Sequence, residues 1–160
     1  MRTIIATAVL GLLSAPFLAH AGHLNDETDR FTGMRSVSWA TLPSASEEFV
    51  LKSSAYIAES GNAYYQIQLI TYADSSRYQD CRWVDWLVDG RRAPELKAEY
   101  DVDHGSGVSI ERFTVKADRN TLESLASAKT VEYKVCNDEG VVRDEELHGL
   151  REVLAATKTK

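Results

Sequence analysis

The nine residues Tyr64-Tyr65-Gln66-Ile67-Gln68-Leu69-Ile70-Thr71-Tyr72 alternate between apolar and polar with a period of two. Successive side chains of an extended chain point to opposite faces, so Tyr65, Ile67 and Leu69 share one side, and Tyr64, Gln66, Gln68 and Tyr72 share the other. This is a strand with one buried and one wet face. Ser60-Gly61-Asn62, just before it, supplies turn residues that fold it back onto Phe49 to Ala58 as a hairpin. An earlier strand is expected over Arg35 to Ala40, closed by Leu42-Pro43-Ser44.

Downstream, Arg82 to Asp89 reads as a further strand, ended by Asp89-Gly90, a two-residue hairpin signal because both turn positions need positive φ. Pro94 limits where the next strand begins. Ala98 to Val102 follows, turned by Gly105-Ser106-Gly107 into Val108 to Lys116, and Thr130 to Cys136 is the last. Asp118 is placed to cap a short helix through Leu122 and Leu125 to Ala128, with Lys129 suiting its C-terminal carbonyls. Asp144 is expected to cap a second helix, with Glu145 and Glu146 in its first turn and Leu147, Leu150, Val153 and Leu154 forming an apolar stripe. Gly149 works against that helix. The pattern is an α+β, β-rich chain: an antiparallel sheet or sandwich of about seven strands, one short helix before the last strand, and a C-terminal amphipathic helix. No internal repeat or low-complexity tract interrupts it.

The ends of the chain speak to compartment. Met1 and Arg2 precede an uncharged run, Thr3 to Leu18, that closes in Ala19-His20-Ala21, the pattern of a cleavable secretory signal peptide over residues 1–21 cut before Gly22. A membrane anchor needs roughly 17 to 25 apolar residues, and this run lies at the lower edge. No cysteine lies near the cut, which excludes a lipid-modified terminus. Residues 22–34 read as a flexible polar arm, 35–157 as one globular domain and 158–160 as a tail. Export to the periplasm or the extracellular space places Cys81 and Cys136 in oxidising surroundings, where two cysteines permit one intramolecular bridge.

Arg2 is the only charged residue of the leader, so the remainder carries 17 Lys and Arg against 24 Asp and Glu. That acidic balance argues against nucleic acid and anionic membranes as partners. No later segment is long and apolar enough to span a bilayer, and oligomeric state is not legible.

Sequence motifs for catalysis fail one by one. His104-Gly105-Ser106-Gly107 holds a histidine and a serine but not the strand-to-helix elbow of a serine hydrolase. Counting a calcium loop from Asp101 puts Ser106 at the sixth position and Arg112 at the twelfth, where glycine and a bidentate carboxylate are required. No zinc spacing, phosphate loop or dinucleotide fingerprint occurs, so no cofactor, metal or catalytic residue is assigned. Asn137-Asp138-Glu139-Gly140 reads as a turn, and His148 and Glu152 as a solvated helical pair.

A candidate binding face remains. In the strand from Trp83, alternation groups Val84, Trp86 and Val88 inward and leaves Trp83, Asp85, Leu87 and Asp89 outward. Tyr64, Gln66, Gln68 and Tyr72, then Arg112 and Thr114, then Glu132 and Lys134, are expected to share that outward face, with the Cys81–Cys136 bridge on it as well. Rigid aromatics among short polar side chains suit a contact surface. The residues expected to bind are Trp83, Asp85, Tyr64, Gln66, Gln68 and Tyr72. The function these observations favour is an exported, non-catalytic module engaging a protein or cell-envelope component, inhibitor-like or immunity-like in role. The alternative is a small envelope hydrolase with scattered carboxylates, which convergence of Asp85, Glu111, Glu132 or His104 in one cleft would favour.

Overall fold

The computed structural model describes residues 22–43 and 48–158. The expected leader, residues 1–21, therefore lies outside the described residues, as do Ser44 and the last two residues of the tail. In chain order the elements are β1 (His23–Thr28), β2 (Arg35–Ala40), β3 (Val50–Ile57), β4 (Ala63–Ala73), β5 (Val84–Val88), β6 (Arg91–Arg92), β7 (Ala98–Gly105), β8 (Val108–Ala117), α1 (Arg119–Ser127), β9 (Val131–Val135), β10 (Asp138–Val141) and α2 (Asp144–Ala156). They form a six-stranded sheet in the order β1-β2-β3-β4-β8-β7 and a four-stranded sheet in the order β10-β9-β5-β6. Every pairing is antiparallel. The β-rich α+β class, with a helix at the C-terminal end, is as the sequence indicates.

Turn chemistry fixes the hairpins. Asp89 and Gly90 both take positive φ (49° and 74°), as do Ser106 and Gly107 (54° and 81°). These two-residue loops match the twist of their flanking strands. Asp118 caps α1 by accepting the Thr121 amide at 2.8 Å, a hydrogen bond that holds its carboxyl below the ordinary aspartate value.

One face of the six-stranded sheet is buried: Val37, Trp39, Leu51, Ala55, Tyr65, Ile67, Leu69, Phe113 and Val115 all point into a shared core. Helix α2 packs over β2 and β3, and α1 fills in against α2 and β4. The small sheet covers the rest of the same face through an aromatic layer in which Phe49 meets Tyr78, Phe113 and Tyr133, and Trp86 meets Tyr133.

Two buried carboxylates hold this arrangement. Strand β2 ends at Ala40, leaving the Leu51 amide of β3 without a strand partner; Glu146, 2 % exposed, reaches out of α2 to accept it at 2.7 Å, together with Arg143 and Thr41. Glu111, fully buried on β8, accepts the amides of Arg77 and Tyr78 at 2.8 Å and the Tyr100 hydroxyl at 2.7 Å. A buried charge costs several kcal/mol unless such bonds satisfy it, so both residues act as anchors for backbone that lacks a ladder partner. At the far end of α2, Arg119 donates to the Leu154 and Thr157 carbonyls and Arg35 to that of Ala156, satisfying groups the helix itself leaves open.

Several expectations are corrected. The N-terminal segment is not a loose arm: His23–Thr28 pairs along β2, with Leu24 packed against the core. Asn137 to Gly140 is not all turn. Cys136, with φ 58°, and Asn137 form the loop, and Asp138–Val141 is a strand. The cap of α2 is Arg143, whose amide donates to Glu146, while Asp144 is the first helical residue. Strand β5 begins at Val84, after Trp83, and β7 runs on to Gly105.

Candidate functional site

The expected binding face divides in two. Tyr64, Gln66, Gln68 and Tyr72 lie on β4, facing away from the core on the open side of the six-stranded sheet. There Tyr64 stacks on Tyr56 (5.0 Å, 17°), Gln66 approaches the Tyr56 hydroxyl, and Gln68 donates to Thr114 at 2.9 Å. Arg112 belongs to this face and is engaged by Asp101 and Asp103 at 3.0 and 3.9 Å, so an internal guanidinium already faces the acids of the rejected calcium motif. Trp83 and Asp85 are elsewhere, at and within the small sheet, so the six residues do not form one surface. The disulfide is displaced too. Cys81 and Cys136 are bridged (Cα–Cα 6.0 Å), but Cys136 is buried in the core and Cys81 packs against it, because Cys136 falls in the β9–β10 turn and not in continuing register with Glu132 and Lys134.

What the structure does bring together is the second half of the expected face. Register places Asp85 beside Lys134 and Lys134 beside Glu139, and in the next row Arg92, Leu87, Glu132 and Val141 in that order across β6, β5, β9 and β10. These outward side chains line a cleft of about 640 Å³, walled on one side by Pro94 and Lys97. Lys134 donates to Glu139 at 2.7 Å, and this bond, with the Glu139 charge and a smaller contribution from Asp85, raises the ammonium above the ordinary lysine value. Beneath the cleft Tyr133 is pushed up to about 12 by burial first, then by the charges of Glu146 and Glu48.

Trp83 stands 56 % exposed immediately before β5. Its carbonyl accepts the Cys136 amide at 3.4 Å, two residues from the bridged Cys81. The loop leading to it is held at Glu111 and again at Asp138, which receives Arg77 at 3.0 Å and the Tyr78 hydroxyl at 2.6 Å. Burial, followed by the Asp138 bond, raises the Tyr78 pKa, and burial with the Glu111 bond raises that of Tyr100, so both remain hydrogen-bond donors. Trp83 is thus presented on a fixed backbone.

Of the four residues whose convergence favours an enzyme, Asp85 and Glu132 line the cleft. Glu111 is enclosed between the sheets, and His104 sits at the β7–β8 hairpin with its Nδ1 3.0 Å from the Ser109 hydroxyl. Among the described residues no group of three or more His, Cys, Asp or Glu could hold a metal ion, and no helix is long and apolar enough to cross a membrane. Arg92, Lys97, Pro94, Glu139 and Val141 carry no site signal in the sequence, where Pro94 and Glu139 read only as a strand limit and part of a turn. β6 and β10 are two and four residues long, too short for periodicity; the Asp89-Gly90 hairpin, however, already implies that Arg92 stands opposite Leu87. Compared with known proteins, the chain matches no family model, no curated protein and no solved structure.

Proposed function

We propose that this chain is an exported, non-catalytic binding module, freed of its leader before Gly22, whose ligand is a protein or other cell-envelope component seated on the outer face of the small sheet. The observation that carries the reading is the cleft itself: an open concavity with aliphatic positions at Leu87 and Val141 and charged groups of both signs around them, its lining beginning at Val84, the residue after the exposed and rigidly held Trp83. Pockets that bind combine apolar lining with a few placed polar groups. Occupying a partner in an inhibitor-like or immunity-like way is the role such a surface suits. The leader pattern and the bridged cysteines support the exported location.

The envelope hydrolase is the second reading, favoured by Asp85 and Glu132 as diagonal neighbours on adjacent strands of one cleft. Acid and base roles require environments that set the two carboxyls apart, whereas Asp85 is exposed and faces Lys134 directly. Affinity capture from envelope extract with the mature protein tests the binding reading. A component retained by the wild type and lost with Leu87→Arg and with Trp83→Ala, each folded as judged by circular dichroism, is the expected result. Truncating an aromatic anchor commonly costs about 2 kcal/mol or more in binding, while His104→Ala serves as the unaffected control. Retention that ignores both substitutions removes this face as the binding surface.

A further inference from the structure

The charges of the small-sheet cleft are arranged in a way that specifies a ligand. Lys134 is taken by Glu139 and flanked by Asp85. Arg92, Lys97 and Glu132, all lining the cleft, have no ion-pair partner among the described residues. Arg92 and Glu132 stand on either side of Leu87, on β6 and β9, two strand spacings apart, which is roughly 10 Å at about 4.8 Å per spacing. The cleft therefore offers cations at Arg92 and Lys97, an anion at Glu132 with Asp85 diagonal to it on β5, and apolar side chains at Leu87, between Arg92 and Glu132, at Val141, beyond Glu132, and at Pro94.

We propose that the cleft recognises a short zwitterionic peptide of about three residues, its terminal carboxylate on Arg92 and Lys97, its terminal ammonium on Glu132, and an apolar central side chain on Leu87. The inference rests on the small-sheet cleft being the ligand site and names what fills it. An extended chain rises about 3.3 Å per residue, so the termini of a tripeptide lie about as far apart as the two strands from which Arg92 and Glu132 project. A free amino acid holds its charges too close together to reach both, and a simple anion meets Glu132 and Asp85 as like charges. The guanidinium of Arg92 suits a carboxylate, which it can bind through two parallel hydrogen bonds. A cleft of about 640 Å³ lies within the roughly 300–1,000 Å³ typical of small-ligand sites.

The experiment is calorimetric titration of the full mature protein with Ala-Leu-Ala bearing free termini, the N-acetylated form, the C-amidated form, and leucine alone. The free tripeptide is expected to bind, each blocked form to bind at least tenfold more weakly, and leucine to give no measurable heat. Arg92→Ala should shrink the difference between the free and amidated peptides and Arg92→Ala with Lys97→Ala should remove it, and Glu132→Gln should remove the difference between the free and acetylated ones. Arg92 is exposed and Glu132 half-buried, and far-ultraviolet circular dichroism confirms that each variant is folded. Blocked peptides binding as well as the free one, or terminal discrimination that survives both substitutions, overturns the proposal. No tripeptide binding by a protein that still captures an envelope component through Leu87 and Trp83 overturns the peptide assignment alone; loss of both overturns the binding reading as well.

Discussion

Gly149 shows how one residue can be misjudged from its type. In the middle of α2 it costs helix stability, about 1 kcal/mol relative to alanine, and in the sequence it speaks against the helix. In the fold it is the seat of Trp39: a Cβ at position 149 would fall onto the indole ring, which is buried and lies edge-on to His148 at 5.6 Å. Gly149→Ala therefore sets a propensity gain against overpacking of about 1–3 kcal/mol. Because the clashing group is a buried ring and not a flexible tip, overpacking wins. The expected outcome is a protein destabilised by about 1 kcal/mol or more in urea denaturation, with the loss reduced when Trp39→Leu makes room. A more stable alanine variant would show that the ring is free to move.

At the scale of elements, hairpin turns are well recorded in sequence and short strands are not. Asp89-Gly90 announces itself because few residues accept positive φ at two consecutive positions, while Gly105-Ser106-Gly107 marks a turn and the structure alone narrows its loop to Ser106-Gly107. β1, β6 and β10 exist because a neighbour offers them a ladder. The covalent tie between the β4–β5 connection and the end of β9 is an element-scale feature as well. Cys81 and Cys136 close a loop with a sequence separation of 55, and on the chain-entropy model such a closure contributes about 4 kcal/mol. A Cys81→Ser, Cys136→Ser protein should melt at a markedly lower temperature, and the loop carrying Trp83 should become more accessible to protease, since only hydrogen bonds, at Glu111, Asp138 and the Cys136 amide, then hold it. Mass spectrometry of the unreduced protein should show no alkylatable thiol; two free thiols contradict the bridge.

Across the whole molecule, the layer between the sheets is rich in tyrosine hydroxyls, and this sets the alkaline limit of the fold. Tyr78, Tyr100 and Tyr133 all have pKa values raised above the ordinary 10.0 by burial first. Below pH 10 both folded and unfolded chains keep these protons and the stability is full. Above it the unfolded chain ionises first, so stability falls as pH rises through the folded values, with Tyr133 at about 12. Denaturant midpoints should decline from about pH 10 upward, and phenolate absorbance from these three residues should appear in step with loss of structure. A midpoint that stays level to pH 12 would contradict their burial.

The sequence by itself determined the β-rich class, the faces of β4 and β5, the two-residue Asp89-Gly90 hairpin and a turn within Gly105-Ser106-Gly107, the α1 cap and the amphipathic stripe of α2, because each rests on contacts a few residues apart. It also placed Asp85, Glu132 and Lys134 on a shared side. Tertiary structure alone decided that Tyr64, Gln66, Gln68 and Tyr72 belong to a different sheet, since alternation records which way a side chain points and not which sheet it points from. It likewise decided that Glu111 and Glu146 are anchors and that Arg92 and Lys97 wall a cleft opposite Glu132. Those roles depend on where a neighbouring strand stops or a connection returns, distances set by the closing of the whole chain.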